Sequence, residues 1–223
     1  MSNRHQPWFH KLQSRYRVDN VPILIRPFYY LISYLLGILL YLYLLVVHFT
    51  SQIQESGKEH LTPNQNYIYL FWHEFLYVYF CIRFFPRKMV YISHPTWHMK
   101  PIYVLLSFIG LNRFILGSTG YQGREAADQL VIFLKNGFST FINPDGPHGP
   151  KRVLKKGTLH ISLQSQISIV PARISCTKYF SLDWDEKQIP LPFGNLRLEY
   201  GMPIHVTTEN FDTIETVLKE AIG

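Results

Sequence analysis

An alternation of short apolar strands with helical runs most strongly limits what this chain can fold into. Between residues 67 and 172, five β-prone runs are separated by four helical runs. The strands are predicted at 67–71, 89–93, 113–116, 138–142 and 168–172, and the helices at 75–85, 98–110, 124–136 and 156–164. This repetition is typical of a mainly parallel sheet flanked by helices, because each parallel strand needs a crossover connection. A further strand at 195–200 and a short helix at 209–221 complete the predicted α/β class.

A long uncharged segment precedes this domain. The run from Pro27 to Val47 contains no charged residue and, as a helix, is long enough to cross the hydrocarbon core of a bilayer. We predict a hydrophobic membrane-anchoring helix. A full crossing, a bend near Ser33 and Gly37 that returns the chain to the same side, and a position within one leaflet all fit the pattern, and a buried helix of a soluble protein is the alternative. The predicted organisation is a basic aromatic arm at 1–26, the membrane-associated helix at 27–50, a linker at 51–65 and the α/β domain at 66–223.

The composition favours a lipid partner. Only 17% of the 223 residues are charged, against roughly 25% in average soluble domains, while 47% are hydrophobic and 16% aromatic. The net charge of +7 favours an anionic partner, which is either a bilayer surface or nucleic acid. Because no nucleic-acid motif or dense Lys/Arg run is present, we predict membrane lipid and no nucleic acid. The cysteines, Cys81 and Cys176, lie in apolar patterns and are predicted to be reduced core residues.

A rigid, charged loop follows the predicted strand at 138–142. We call residues 143–150, Asn-Pro-Asp-Gly-Pro-His-Gly-Pro, the proline loop. Its prolines fix φ, and its glycines allow backbone that other residues cannot adopt. Asp145, His148, Lys151 and Arg152 are therefore presented at the end of a strand, where ligands of open α/β sheets usually bind. The alternative interpretation is a surface turn with a solvated basic face.

Other strand ends carry further candidates. His73 follows the first buried strand and is suited to take a proton from a hydroxyl near neutral pH, with Glu74 as a group that could orient the imidazole. Neighbours on an extended strand point in opposite directions, so that role requires a turn at this point. Ser118 and Thr119 lie in a Gly-rich turn before a helix, which is either an anion-binding nest or a structural turn. His94 and His98 have a spacing that places both on one helix face, but no third ligand is evident and no metal site is predicted.

With these residues in place, the chain resembles the lysophospholipid acyltransferase superfamily, in a bacterial branch related to glycerolipid and lipid A acyltransferases. The resemblance covers about residues 60 to 206. The stretches that carry it are Phe71-Trp72-His73-Glu74, Gly117-Ser118-Thr119 with Gly123, Asn143 to Pro150 followed by Gly157, and Ile169-Val170-Pro171-Ala172. The Trp-His upstream of Pro-Asp-Gly-Pro is its most specific part.

The chain departs from the superfamily pattern at three places. The superfamily usually has an aspartate five positions after the histidine, where this chain has Val78, so either Glu74 substitutes or the dyad is incomplete. An arginine commonly follows the Pro-Asp-Gly-Pro motif where this chain has His148, and Arg152 is the alternative cation. Relatives often show Asp-Gly after the second strand, where this chain has Thr96-Trp97-His98-Met99.

The resemblance implies a glycerol-3-phosphate acyltransferase-like fold and a membrane-associated O-acyltransferase. This enzyme would move a fatty acyl chain from a thioester donor, acyl-CoA or acyl-carrier protein, to the hydroxyl of a lysophospholipid or related lipid. It would hold no tightly bound cofactor and would lie at a bacterial inner membrane, with the cytoplasmic face favoured. The expected catalytic residues are His73 as general base, Glu74 and Asp145. The expected substrate-binding residues are Ser118, Thr119, Gly146, His148, Lys151 and Arg152.

Two other functions remain as alternatives. Val78 motivates a catalytically inactive lipid-binding protein on the same scaffold. The net positive charge motivates a nucleic-acid or anionic-surface binder, whose affinity would fall steeply with salt.

Overall fold

The computed structural model describes residues 17–83, 88–111, 113–117, 121–146, 149–182 and 186–223. The α-helices within these ranges are α1 (Arg26–Thr50), α2 (Leu76–Ile82), α3 (Lys100–Phe108), α4 (Gly123–Lys135), α5 (Gly157–Ser165) and α6 (Ile214–Ile222). The strands are β1 (Gln52–Ser56), β2 (Ile68–Leu70), β3 (Met89–Ser93), β4 (Phe114–Leu116), β5 (Ser139–Ile142), β6 (Ile169–Cys176), β7 (Tyr179–Leu182), β8 (Lys187–Pro190) and β9 (Asn195–Tyr200).

Seven strands of the described chain form one sheet in the order β1-β9-β6-β2-β5-β3-β4. The strands from β6 to β4 run parallel, β9 runs antiparallel to β6, and β1 runs parallel to β9. The predicted mainly parallel sheet flanked by helices is confirmed. Because β2, β3, β4, β5 and β6 share one direction, the loops that follow them meet at one edge of the sheet.

Aromatic packing holds the centre of this sheet. Phe141 on β5 is almost fully buried, and its ring stacks on Tyr91 of β3 at 4.5 Å between centroids and lies 5.9 Å from Phe71. Tyr79 and Phe80 of α2 cover the same ring at 5.5 and 5.8 Å. Aromatic pairs at such distances contribute about 0.5–1.5 kcal/mol beyond their area burial. This aromatic cluster therefore fixes the positions of the residues at the ends of β2 and β5.

The predicted linker at 51–65 is wrong in part. It contains β1 and a 3₁₀ turn at Lys58–His60. The strand Gln-Ile-Gln-Glu-Ser lies at the edge of the sheet, and its residues alternate between exposed and half-buried positions. Polar side chains suit an edge strand because they discourage pairing with other chains, so the sequence of β1 resembles that of a loop.

Pro171 lies in an internal strand rather than at an edge, and a bulge explains its presence. Ala172 pairs with Tyr200, and Ile169 pairs with Ile204, so three steps on β6 match four steps on the opposing segment. The extra residue lies beside Pro171, whose carbonyl accepts a hydrogen bond from the Gly201 N–H at 2.8 Å. A proline, which has no N–H, is tolerated where the ladder is interrupted in this way.

Helix α1 is continuous from Arg26 to Thr50, so of the alternatives left open by the sequence, the bend near Ser33 and Gly37 is not present. Both residues are buried, and a Cβ on Gly37 would lie 2.5 Å from Cβ of Val104 on α3. The small residues therefore allow two helices to approach closely. The remainder of α1 is largely exposed, since only 22% of its most hydrophobic 18-residue stretch is buried. This differs from the alternative, in which the segment is a buried core helix.

Candidate active site

His73 lies at the carboxyl edge of the sheet, on a 3₁₀ turn that is separated from the end of β2 by two residues. The turn spans His73–Phe75, and all three of its residues are buried. Trp72 fixes the entry to the turn, because its Nε1–H donates a hydrogen bond to the Gly223 carbonyl at 2.8 Å. Because His73 and Glu74 lie on this turn and not on an extended strand, their side chains are not forced to opposite faces. The turn that the predicted role of Glu74 requires is therefore present.

Asp145 joins the two loops of the site. Its Oδ1 accepts a hydrogen bond from the His73 backbone N–H at 3.1 Å, and its Oδ2 accepts one from the Arg152 backbone N–H at 3.3 Å. The side chain is buried. Burial raises the pKa of Asp145, whereas the backbone donors and the positive charge available at His73 act to lower it. Asp145 thus ties the proline loop to the turn that carries His73.

Glu74 contacts the two cations that directly follow the proline loop. Its Oε1 accepts a hydrogen bond from Arg152 Nε at 2.8 Å, and its Oε2 lies 3.0 Å from Lys151 Nζ. Lys151 also donates to Glu186 at 2.5 Å. Partial burial disfavours the charged lysine, but the hydrogen bonds from Lys151 to Glu186 and Glu74 outweigh it and raise the pKa of Lys151. The expected partner of Glu74 was the imidazole of His73, whereas its carboxylate oxygens contact these cations.

The proline loop is held close to the end of β2. The Asn143 Nδ2–H₂ group donates to the Phe71 carbonyl at 3.0 Å, and the Lys155 N–H donates to the Pro144 carbonyl at 3.0 Å. Gly146 has φ +66°, a conformation that favours glycine. Together with the Asp145 contacts, these bonds fix the described part of the loop against the His73 turn.

A cavity of about 460 Å³ opens at this edge of the sheet. His73, His94, Gly146, Lys155 and Lys187 contribute its polar wall. Its apolar wall comes from β-strand and helix side chains that include Leu76, Tyr77, Ile92, Ile102, Leu130 and Ile161. A volume in this range and a mainly apolar wall with a few convergent polar groups are typical of small-molecule sites. The arrangement suits an amphiphile with its polar part near His73.

Three of the predicted site residues, Ser118, Thr119 and His148, lie outside the described residues. Gly117, which precedes the first two, contributes to the cavity wall. Lys187 is a wall residue that the sequence reasoning missed. It lies on β8 of the β7–β8 hairpin, which was not predicted, and nothing in its local sequence distinguishes it from a solvated lysine.

His94 and His98 do not share a helix face, contrary to the spacing argument. α3 begins at Lys100, His94 lies outside it directly after β3, and His98 lies in a 3₁₀ turn. His94 Nδ1 accepts a hydrogen bond from the Thr96 N–H at 3.3 Å. Within the described ranges, no group of three His, Cys, Asp or Glu side chains could hold a metal ion.

Comparisons with known proteins support the fold. No family model matches the chain. It is 28% identical over 181 residues to an uncharacterized protein of Rickettsia prowazekii (strain Madrid E), covering 78% of this chain and 83% of that protein. Its structure is similar to the crystal structure of the 1-acyl-sn-glycerophosphate (LPA) acyltransferase PlsC from Thermotoga maritima, with a TM-score of 0.52 at 16% identity, covering 86% of this chain and 78% of that chain. The chain therefore has a PlsC-like acyltransferase fold with an N-terminal apolar helix.

Proposed function

We propose that this protein is a membrane-associated O-acyltransferase that transfers a fatty acyl chain from a thioester donor to the hydroxyl of a lysophospholipid or related lipid. The observation that carries the proposal is the placement of His73. This histidine lies in the wall of a mainly apolar cavity, at the carboxyl edge of a PlsC-like sheet, on a turn that Asp145 ties to the proline loop. The donor is acyl-CoA or acyl-carrier protein, and no tightly bound cofactor is required.

His73 is the general base in this proposal. Its imidazole removes the proton from the acceptor hydroxyl as the oxygen attacks the thioester carbonyl. When the tetrahedral intermediate collapses, the C–S bond breaks and the imidazolium returns the proton to the departing thiolate. Backbone N–H groups of the proline loop or of the Gly-Ser-Thr sequence at 117–119 are the candidate donors to the oxyanion. Positioned base catalysis of this kind contributes typically 10²–10⁴-fold to the rate.

Asp145, rather than Glu74, is the carboxylate that supports His73. Its bond to the His73 backbone N–H fixes the turn from which the imidazole projects, and its negative charge stabilises the imidazolium formed during proton transfer. Glu74 instead holds Lys151 and Arg152, so we assign it the role of fixing the loop. The position five residues after His73 is Val78, which is fully buried in the apolar core.

Helix α1 is the proposed membrane contact. It touches the α/β domain along most of its length, from Tyr29, whose hydroxyl donates to the Trp97 carbonyl, to His48, which contacts the Cys81 carbonyl. These two contacts are separated by about 28 Å of helix, nearly the thickness of the hydrocarbon core, so a perpendicular crossing would draw the flank of the domain into the bilayer. We propose that α1 lies in one leaflet, at the cytoplasmic face of a bacterial inner membrane. Its exposed side includes Leu31, Leu35, Leu39, Leu42 and Phe49.

A further apolar groove supports this orientation. It has a volume of about 570 Å³ and lies between α1 and the segment at 97–101. Phe28, Ile32 and Leu36 line one side, and Trp97 and Pro101 line the other. Because the groove continues the exposed apolar face of α1, the same membrane contact would cover both.

The buried valine at position 78 favours the second candidate, a catalytically inactive lipid-binding protein. Both functions are tested by offering radiolabelled acyl-CoA and acyl-carrier protein with a panel of lysolipids to the detergent-purified protein. Transfer to at least one acceptor supports the enzyme. Saturable binding of lysolipid without transfer from either donor supports the binding protein and contradicts the enzyme.

A further inference from the structure

The apolar groove beside α1 shares a wall with the active-site cavity. This wall is the turn Trp97–Met99 together with the first residues of α3. Met99 and Ile102 line the cavity that contains His73, whereas Trp97 and Pro101 line the groove. Because neighbouring residues of one short segment line both spaces, the groove and the cavity lie on opposite sides of this segment.

Hydrogen bonds hold this wall in place. The Tyr29 hydroxyl of α1 donates to the Trp97 carbonyl at 2.8 Å. The Val18 N–H donates to the Pro95 carbonyl at 2.9 Å. The segment before α3 is therefore attached both to α1 and to the residues that precede α1, so the groove forms without a rearrangement of its wall.

The shape and the lining of the groove suit a hydrocarbon chain. Phe28, Ile32 and Leu36 recur at every fourth position of α1, so they cover about 12 Å along one face of the helix. All three side chains are exposed. Among the described residues that line the groove there is no Asp, Glu, Lys or Arg. An elongated and uncharged space favours an extended apolar chain.

His98 contributes an imidazole to this lining. Its Nε2 lies 3.3 Å from the Thr96 hydroxyl oxygen. Partial burial, and after it the charge of Lys187, lower the pKa of His98. The imidazole is therefore neutral near pH 7 and adds no charge to the groove.

The position of the groove favours the acceptor over the donor. The proposed reaction brings together two acyl chains, one on a lysolipid in the bilayer and one on a soluble carrier. The groove opens on the exposed face of α1 that we place in the membrane, so its occupant comes from the bilayer. A donor on CoA or carrier protein would have to move its charged groups towards the hydrocarbon to reach the groove, which is costly.

We infer that the groove between α1 and residues 97–101 binds the acyl chain of the acceptor lysolipid. The polar end of the same molecule extends past the Trp97–Met99 turn to the cavity of His73, whose apolar wall is left for the chain of the donor. The identification of the lipid as the acceptor rests on the proposed function, whereas the chain site rests on the shape, lining and position of the groove.

Photocrosslinking tests the inference without requiring turnover. The full chain in phosphatidylcholine vesicles receives lysophosphatidic acid that carries a diazirine at the end of its acyl chain, and tandem mass spectrometry locates the labelled residues. Unlabelled lysophosphatidic acid in about tenfold excess should reduce labelling of the groove about tenfold, because a saturable site follows mass action. The same excess of diacyl phosphatidic acid or palmitoyl-CoA should change it by less than about twofold. Labelling at Leu39, outside the groove, comes from bulk bilayer and should not be competed.

Filling the groove should weaken this labelling. Leu36→Trp and Ile32→Trp each add bulk to the lining, and Leu39→Trp is the matched control because Leu39 is exposed on α1 outside the groove. Each filling variant should lower the competed labelling roughly 4- to 15-fold, since displacing one or two buried methylenes costs roughly fourfold in affinity per methylene. The control should stay within about twofold of wild type. Thermal unfolding of each variant verifies that it is folded.

Three results overturn the inference. The first is labelling of Leu36 and Leu39 that no competitor reduces, which indicates plain contact with the bilayer. The second is competition by diacyl phosphatidic acid or palmitoyl-CoA as strong as that by lysophosphatidic acid, which indicates another occupant. The third is equal labelling of the filling variants and the Leu39→Trp control.

The outcome also separates this inference from the proposed function. Competed labelling of the groove in a protein that transfers no acyl chain would keep the chain site and refute the enzyme. Acyl transfer by a protein without competed labelling of the groove would keep the enzyme and refute the chain site.

Discussion

Replacing Glu74 with alanine should destabilise the folded protein and loosen the proline loop. The Glu74 carboxylate is only 4% exposed and contacts Arg152 and Lys151 at 2.8 and 3.0 Å. Its removal leaves both cations without this partner and leaves a small void in the wall between the His73 turn and the loop. The loop then depends on Asp145 for its link to the turn.

The exposure of the cations sets the magnitude of this effect. Removing one partner of a fully buried ion pair costs about 3–5 kcal/mol, because the remaining charge stays unsolvated. Arg152 and Lys151 are 51% and 31% exposed, so water can solvate them when Glu74 is absent. The expected loss is therefore about 1.5–3 kcal/mol, the value for hydrogen bonds to charged groups. For a chain of this size, this lowers Tm by about 3–12 °C.

Thermal unfolding in detergent measures the effect. Glu74→Gln should cost less than Glu74→Ala, because the glutamine keeps an oxygen for Arg152 and loses mainly the contact with Lys151. Glu220→Ala serves as the control because Glu220 is exposed on α6. In a double-mutant cycle, Arg152→Ala should add little to Glu74→Ala. Equal shifts for Glu74→Ala and Glu220→Ala, or full additivity with Arg152→Ala, would refute the reasoning.

Three other substitutions test the loop, the helix packing and the membrane face. Asp145→Asn keeps one acceptor oxygen and leaves one of two backbone N–H donors unpaired, so stability should fall by about 1–3 kcal/mol, with faster hydrogen exchange at the amides it bonds; unchanged exchange would contradict this role. Gly37→Val would place a Cβ 2.5 Å from Cβ of Val104 and should cost about 1–3 kcal/mol in thermal unfolding, so a neutral effect would show that α1 packs elsewhere. Leu39 is 61% exposed, and Leu39→Gln should weaken flotation with phosphatidylcholine vesicles by about 1.5–3 kcal/mol without lowering Tm. Unchanged flotation would remove this face from the membrane contact.

The parallel sheet can be predicted from the sequence because the signals for its strands and helices lie within short stretches of the chain. Each parallel strand is a short apolar run, and residues such as Gly110 and Gly137, with φ +103° and +81°, end the helices that follow. His73 and Asp145 can also be placed from the sequence, since each follows a strand and parallel strands share a carboxyl edge. The direct link between them, through the His73 N–H, depends on the exact conformation of the turn and was not predictable from strand order.

Other features depend on contacts between residues that are far apart in the sequence. β1 is polar because it lies at the sheet edge, so hydrophobic periodicity does not reveal it. In the sequence, Ser33 and Gly37 suggested a bend as one alternative, whereas both are buried in a continuous helix and the small size of Gly37 permits the contact with α3. Glu74 contacts cations almost eighty residues away, and Lys187 enters the cavity through a hairpin whose turn lies partly outside the described residues.

The central claim is that His73 is the base for acyl transfer. The most direct test compares single-turnover transfer by wild type, His73→Ala and His205→Ala, with the best donor and acceptor found in the panel; His205 is an exposed histidine. The account predicts a loss of about 10²–10⁴-fold for His73→Ala, near-wild-type transfer for His205→Ala and unchanged lysolipid binding by both variants. Full transfer by a folded His73→Ala protein would contradict the account.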